Sequence, residues 1–166
     1  TDENVSSPVQ FDFRLGNMCN LHCQMCNKDA SHLVSVERAK IKEKYGAPVQ
    51  HEDWERVTDN KKEALLQPGI DWKEFEPMIP HAREIKMIGG EPTVFPDMFR
   101  LLDYCTENDY AKNIELSFYT NITNMQDRWL EQLGQFKRVV VNCSLEGMGA
   151  MNDYLRPPSK LSLIHI

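Results

Sequence analysis

Three cysteines stand close together in residues 19–26, CNLHCQMC, at Cys-x-x-x-Cys-x-x-Cys spacing. They follow an alternating segment, Val9 to Leu15 (VQFDFRL), which is typical of a strand, and Gly16-Asn17 form a turn between the two. Thiolates this close repel one another and oxidise readily unless a metal centre holds them. The sequence therefore predicts a metal-binding loop at the C-terminal end of the first strand.

Two kinds of metal centre fit this loop. Cys19, Cys23 and Cys26 can ligate three irons of a 4Fe–4S cluster, which leaves the fourth iron without a protein ligand from the loop. A vacant coordination position is where a substrate or cofactor can bind a metal. The alternative is a structural zinc ion held by the three cysteines and one histidine, either His22 or His32.

Composition bounds the remaining function classes. The chain has 166 residues, 41% hydrophobic and 27% charged, which is typical of one globular domain. Its net charge of -6 and the lack of a basic stripe argue against a nucleic-acid partner. No apolar run of roughly 18 residues occurs, so we expect no membrane partner. An odd number of cysteines, five, favours the reducing cytoplasm. We expect Cys105 and Cys143 to pack in the core.

Strand and helix patterns alternate four times along the chain. Strands are predicted at residues 9–15, 84–88, 114–119 and 138–144. Helices are predicted at residues 34–45, 52–66, 98–108 and 125–133, with Asp97 as the cap before the third helix and Asn124 at the start of the fourth. The fourth strand, RVVVNCS, is a β-branched run typical of a strand covered on both faces. The pattern predicts an α/β fold with a parallel sheet, in which loops at the C-terminal strand ends carry the chemistry.

A second motif, Gly89-Gly90-Glu91-Pro92, follows the second predicted strand. Two glycines at a strand end permit a close backbone approach that other residues forbid. Their N–H and C=O groups can then bind a small polar ligand. Together with the cysteine loop, this motif favours a ligand site over an ordinary turn.

With both motifs in place, residues 9–158 resemble the radical S-adenosylmethionine (SAM) enzymes. The resemblance implies a partial parallel (β/α) barrel, with about four βα units present of the usual six. It also implies two cofactors, a 4Fe–4S cluster and SAM. Cys19, Cys23 and Cys26 would ligate the cluster, and its open iron would chelate the amino and carboxylate groups of SAM.

The resemblance further assigns residues to SAM. Gly89, Gly90, Glu91 and Pro92 match the motif that contacts the SAM amino group. Met25 matches a position, often aromatic in the family, that meets the adenine. The rest of the implied SAM pocket comes from the ends of later strands, namely Asn121, with Ser144 near the ribose or carboxylate and Arg156 paired with the carboxylate.

The implied reaction is reductive cleavage of SAM to methionine and a 5′-deoxyadenosyl radical, which abstracts hydrogen from a substrate. The segment from Ser144 to Arg156 resembles the peptide-modifying branch, so a peptide or protein is the candidate substrate. A flavodoxin- or ferredoxin-like protein is the expected electron donor. Cross-linking, oxidation, epimerisation and methylation all stay open, and no catalytic residue is assigned beyond the cluster ligands.

The predicted domain plan has three parts. Residues 1–8 are a disordered lead-in, and residues 9–160 are the radical SAM core. Within the core, an insertion at about residues 33–80 is a candidate cover for the active site. We interpret residues 161–166 (LSLIHI) as a non-native tail and the chain as incomplete. Two alternatives remain: a Cys3His zinc-binding interaction module, or a truncated cluster-binding protein without turnover.

Overall fold

A computed structural model describes residues 7–14, 16–46 and 71–161. The predicted helix at residues 52–66 lies outside these ranges, as do most of the predicted lead-in and of the predicted non-native tail. The centre of the predicted insertion, residues 47–70, is also outside them, so its proposed role as a cover stays a prediction.

Four parallel strands form one sheet in the order β1-β2-β3-β4. The strands are β1 (Gln10–Arg14), β2 (Glu84–Ile88), β3 (Glu115–Thr120) and β4 (Arg138–Cys143). In register, Phe13 lies beside Met87, Met87 beside Phe118, and Phe118 beside Val141. The predicted parallel α/β fold is therefore confirmed, and its strand boundaries agree to within about one residue.

Helices connect the strands, as a parallel sheet requires. They are α1 (His32–Tyr45), α2 (Trp72–Phe75), α3 (Pro96–Glu107), α4 (Asp127–Leu133) and, after β4, α5 (Ala150–Leu155). Short 3-10 turns occupy Ile79–His81, Pro92–Val94 and Ala111–Asn113.

Two predicted helix caps are wrong. Helix α3 begins at Pro96, whose fixed φ suits the first helical position, and the Asp97 carboxylate instead accepts from Trp72 Nε1 at 2.8 Å. Helix α4 begins at Asp127, and Asn124 donates from Nδ2 to the Thr93 carbonyl at 2.6 Å. Both side chains found tertiary partners that local pattern does not reveal.

The core lies between the sheet and the helices α3 and α4. The inward residues of β2 and β3 are fully buried and pack with the apolar faces of these helices. Large side chains that are fully buried here include Met87, Phe118, Met98, Leu102 and Trp129. Cys105 is fully buried among them, which confirms its predicted packing role.

Strand β4 differs from its prediction. Val140 and Val141 are 37% and 38% exposed, and Cys143 is exposed as well. The expectations that β4 is covered on both faces and that Cys143 packs in the core are therefore wrong for this structure. The physical reason is position, because β4 is the end strand of the described sheet and only β3 lies beside it.

Candidate functional site

Every motif identified in the sequence lies at the carboxyl edge of the sheet. The cysteine loop follows β1, Gly89 follows β2, Asn121 follows β3 and Ser144 follows β4. Parallel strands bring their carboxyl ends to one edge, so these four loops are neighbours. The Ser144 N–H donates to the Thr120 carbonyl at 2.8 Å, which extends the β3–β4 pairing to this edge.

The cysteine loop has a small apolar centre of its own. Cys19 and Cys23 are 8% and 4% exposed and pack around Leu21, with the half-buried Cys26 against them. The Cys26 N–H donates to the Cys23 carbonyl at 3.0 Å, and the Ser31 hydroxyl donates to the Leu21 carbonyl at 2.6 Å. Ser31 stands directly before α1, but its side chain makes no cap hydrogen bond and therefore fixes the loop rather than the helix.

The three thiols differ in acidity. Burial raises the pKa of Cys19. A hydrogen bond between the other two thiols raises the pKa of Cys23 and lowers the pKa of Cys26 to about 7. Since the thiolate is the metal-binding form, the Cys23–Cys26 pair can offer one charged ligand near neutral pH.

Gly90 joins the Gly-Gly-Glu-Pro loop to the residue before the cysteines. Its φ is +47°, and a Cβ there would lie 2.1 Å from the Met18 carbonyl oxygen. The next N–H, that of Glu91, donates to this same oxygen at 2.8 Å. Glycine is thus required both by conformation and by the close approach of the two loops.

Glu91 is 2% exposed, and its carboxylate is engaged by the chain itself. Oε1 accepts from the Thr93 N–H at 3.2 Å and from the hydroxyls of Thr93 and Thr120, both at 2.7 Å. Oε2 accepts from the Asn121 N–H at 2.6 Å. The Glu91 side chain therefore ties the ends of β2 and β3 together.

Asn121 continues this connection into the cysteine loop. Its Nδ2 donates to Asn20 Oδ1 at 2.8 Å, and Asn20 Nδ2 donates to Thr123 Oγ1 at 2.8 Å. The Thr123 hydroxyl returns a bond to Asn121 Oδ1 at 2.6 Å. We call Glu91, Thr120, Asn121, Asn20 and Thr123 the polar relay. Sequence reasoning missed Asn20, Thr120 and Thr123, although Asn20 stands next to Cys19 and Thr120 next to Asn121.

Arg156 lies on the other side of the cysteine loop. Its Nη1 is 3.7 Å from Cys23 Sγ, and its Nη2 donates to Glu146 Oε1 at 2.5 Å. Its Nε is buried and has no hydrogen-bond partner among the described residues. Of the predicted SAM residues, Met25 is half exposed on the loop itself and Ser144 is partly buried at the β4 end.

Three cysteine thiols on one loop suit either a 4Fe–4S cluster or a zinc ion. Among the described residues, no group of three or more His, Cys, Asp or Glu side chains is placed to hold one metal ion. In addition, His22 Nδ1 bonds Glu37 Oε2 at 3.0 Å and His32 Nδ1 accepts from the Cys19 N–H at 3.3 Å.

A separate groove of about 650 Å³ runs along α3, where Phe99, Asp103 and Glu107 line it. None of the residues selected from the sequence lines this groove. It is therefore separate from the loops at the strand ends.

Comparison with known proteins identifies the class. The family model of the radical SAM superfamily matches residues 13–159, so the chain belongs to this superfamily. An uncharacterized protein of Methanocaldococcus jannaschii, MJ0907, is 32% identical over 75 residues, which are 45% of this chain and 26% of that protein.

Two solved structures of SuiB from Streptococcus suis share the fold. The complex with the precursor peptide SuiA matches with a TM-score of 0.53 and 20% identity, over 92% of this chain. The complex with S-adenosylmethionine matches with a TM-score of 0.53 and 18% identity, over 91% of this chain. In both cases the chain spans 28% of SuiB, about a quarter of the matched protein.

No described helix is long and apolar enough to cross a membrane.

Proposed function

We propose that this chain is the cofactor-binding part of a radical SAM enzyme, with Cys19, Cys23 and Cys26 as ligands of a 4Fe–4S cluster. The main observation behind the proposal is that the Gly-Gly-Glu-Pro loop and the cysteine loop are in close backbone contact. Gly90 and Glu91 approach the Met18 carbonyl, directly before Cys19, so the predicted cluster loop and the predicted SAM loop form one unit. Radical SAM chemistry needs both ligands at one place.

The proposed SAM site uses the loops around the cysteines. The backbone of Gly89 to Pro92 would bind the amino group, because the Glu91 carboxylate already has four donors from the chain. The buried Nε–H of Arg156 lacks an acceptor among the described residues, which supports a bidentate or single contact with the SAM carboxylate. Met25, Asn121 and Ser144 complete the proposed pocket.

When bound, the cluster and SAM would supply an organic radical that abstracts hydrogen from a substrate. The chain's own residues bind and orient. The polar relay holds the Gly-Gly-Glu-Pro loop, the end of β3 and the cysteine loop in fixed relation, and each of its hydrogen bonds stabilises that arrangement. This rigidity is what preorganises two cofactors for one reaction.

For the whole protein we propose a peptide or protein substrate, supported by the fold shared with SuiB, which was solved with a precursor peptide. We also propose a flavodoxin- or ferredoxin-like electron donor and a cytoplasmic site of action. The reaction type stays open among cross-linking, oxidation, epimerisation and methylation.

The test is anaerobic reconstitution with iron and sulfide, followed by reduction with dithionite in the presence of SAM. The proposal predicts 5′-deoxyadenosine from the wild type and from Cys143→Ala, and none from Cys23→Ala. A cluster that forms but gives no 5′-deoxyadenosine would point to a cluster-binding protein without turnover. Tight stoichiometric zinc without iron uptake would replace the proposal with the zinc-binding module.

A further inference from the structure

The segment after α5 is attached to the cysteine loop by its backbone. The His22 N–H donates to the Pro157 carbonyl, and the Gln24 N–H donates to the Leu155 carbonyl, both at 2.8 Å. Cys23 lies between the two donors, and Arg156 lies between the two acceptors. The backbone therefore sets the Arg156 side chain opposite the Cys23 side chain.

The guanidinium reaches the sulfur directly. Arg156 Nη1 is 3.7 Å from Cys23 Sγ, within the range of an N–H···S hydrogen bond, and the Arg156 side chain is 13% exposed. Its positive charge therefore lies beside the Cys23 sulfur. Because the group is largely removed from water, this electrostatic effect is screened less than at the surface.

Glu146 is the counter-charge of this arginine. Its Oε1 accepts from Arg156 Nη2 at 2.5 Å. Asn152, which is 1% exposed, holds the pair together, because its Oδ1 accepts from the Glu146 N–H at 3.1 Å and its carbonyl accepts from the Arg156 N–H at 2.8 Å. The sulfur, the guanidinium and the carboxylate thus form a fixed row.

We infer that Arg156 is a positioning residue that tunes the reduction potential of the cluster through Cys23, and that Glu146 sets the strength of this effect. The inference rests on the proposed cluster site. One-electron reduction of a cluster adds a negative charge, and a hydrogen-bonded cation beside a ligating sulfur stabilises that charge. Arg156 would therefore raise the potential, and Glu146 would partly offset it.

The test is a potentiometric titration of the reconstituted cluster with dithionite as the electron source, followed by EPR, without SAM. Leaving SAM out removes any contribution from a carboxylate bound to Arg156. Arg156→Gln is expected to shift the midpoint to more negative potential, changing the oxidised-to-reduced ratio at a fixed potential by about fivefold, the effect of one hydrogen bond. Arg156→Lys keeps the charge and should shift it less.

Two further variants make the result specific. In Glu146→Gln the arginine loses its counter-charge, so the midpoint potential is expected to shift in the opposite direction. This measurement tests the inference even if Arg156→Gln incorporates little cluster. Arg138→Gln is the matched control, because this exposed arginine lies at the start of β4 and should leave the midpoint unchanged.

An unchanged midpoint in both Arg156→Gln and Glu146→Gln would overturn the inference and leave the proposed cluster intact. Shifts of the same sign in these two variants, or lower cluster content with an unchanged midpoint, would also overturn it, since a structural role alone predicts them. A wild-type protein that takes up no iron would overturn both this inference and the proposed function.

Discussion

Two charged side chains at the same edge of the sheet, Glu91 and Arg156, differ in how completely the chain itself satisfies their hydrogen bonds. At the ends of β2 and β3, Glu91 is 2% exposed and its carboxylate accepts four hydrogen bonds from the chain. Beyond β4, Arg156 bonds Glu146 and approaches a cysteine sulfur, while its buried Nε has no partner among the described residues. The Glu91 carboxylate is thus fully engaged within the chain, whereas the Arg156 guanidinium keeps one N–H donor that a ligand can use.

This difference indicates that the two side chains have different roles, one structural and one in ligand binding. A buried polar group whose bonds are all internal fixes the structure, and losing it costs stability. A buried donor without an acceptor is costly unless a ligand completes it. We therefore propose that the Glu91 side chain belongs to the packed frame of the site, which β1–β3 form, whereas the Arg156 side chain beyond β4 is available to a ligand.

The largest expected effect is the loss of Glu91. Glu91→Ala leaves the Asn121 and Thr93 N–H groups and the Thr120 hydroxyl without their acceptor, and we expect a loss of about 4 kcal/mol in the free energy of unfolding. Urea denaturation followed by circular dichroism measures it. Glu115→Ala is the control, since solvent screens its surface ion pairs with Lys137 and Arg138 and we expect a much smaller loss. Equal losses in the two variants would contradict the assignment of Glu91 to the frame.

Gly90→Ala should be nearly as damaging, by about 3 kcal/mol, because the new Cβ combines a positive φ with a 2.1 Å approach to the Met18 oxygen. Gly149, on the β4–α5 side, also has a positive φ, +54°, but nothing lies within 4 Å of its added Cβ. Gly149→Ala therefore measures the conformational cost without the clash. If thermal unfolding shows equal losses for both, the close approach of the two loops is not important.

A smaller contrast concerns the sheet itself. Ile85→Val removes one methyl group from a fully buried residue of β2 and should cost about 1 kcal/mol. Val140→Thr changes a residue of β4 that is 37% exposed and should cost less than about 0.5 kcal/mol. Denaturant titration of both variants checks this. A larger loss for Val140→Thr would mean that β4 belongs to the packed frame.

The smallest effect is chemical and leaves the fold unchanged. Burial raises the pKa of Cys105 to about 12, whereas Cys143 is exposed. With the three loop cysteines replaced by serine, iodoacetamide at pH 8 should label Cys143 and leave Cys105 unlabelled until the protein unfolds, as mass spectrometry of peptides can show. Rapid labelling of Cys105 in the folded protein would contradict its burial.

The raised pKa of Cys105 also makes the free energy of unfolding depend on pH. The folded protein keeps this thiol neutral, so its contribution is complete below the unfolded pKa of about 8.5 and is lost as the pH rises toward 12. The difference in unfolding free energy between wild type and Cys105→Ala should therefore shrink across this alkaline range.

The strands of the sheet could be predicted from the sequence because their local residue patterns agree with their positions in the fold. The alternating pattern of residues 84–88 matches β2 residue for residue, and Gly90 after it is required by a close backbone approach that the motif itself indicates. The fold class is confirmed for the same reason, since strands followed by helices leave few parallel topologies.

The errors have one physical cause, which is tertiary context. The β-branched run of β4 predicts a covered strand, but coverage depends on what lies beside it in the described sheet. Asp97 and Asn124 look like caps, but each bonds a residue that is distant in sequence. The Asn20–Asn121 bond joins residues 101 positions apart, so no local pattern could indicate it.

The most direct test of the central claim is EPR of the reconstituted and reduced protein, recorded with and without SAM, for the wild type, Cys23→Ser and Cys105→Ser. We predict a paramagnetic cluster signal that changes on addition of SAM in the wild type and in Cys105→Ser, and no such signal in Cys23→Ser. A signal that survives in Cys23→Ser, or one that SAM leaves unchanged in the wild type, would contradict a cluster and SAM site at this edge of the sheet.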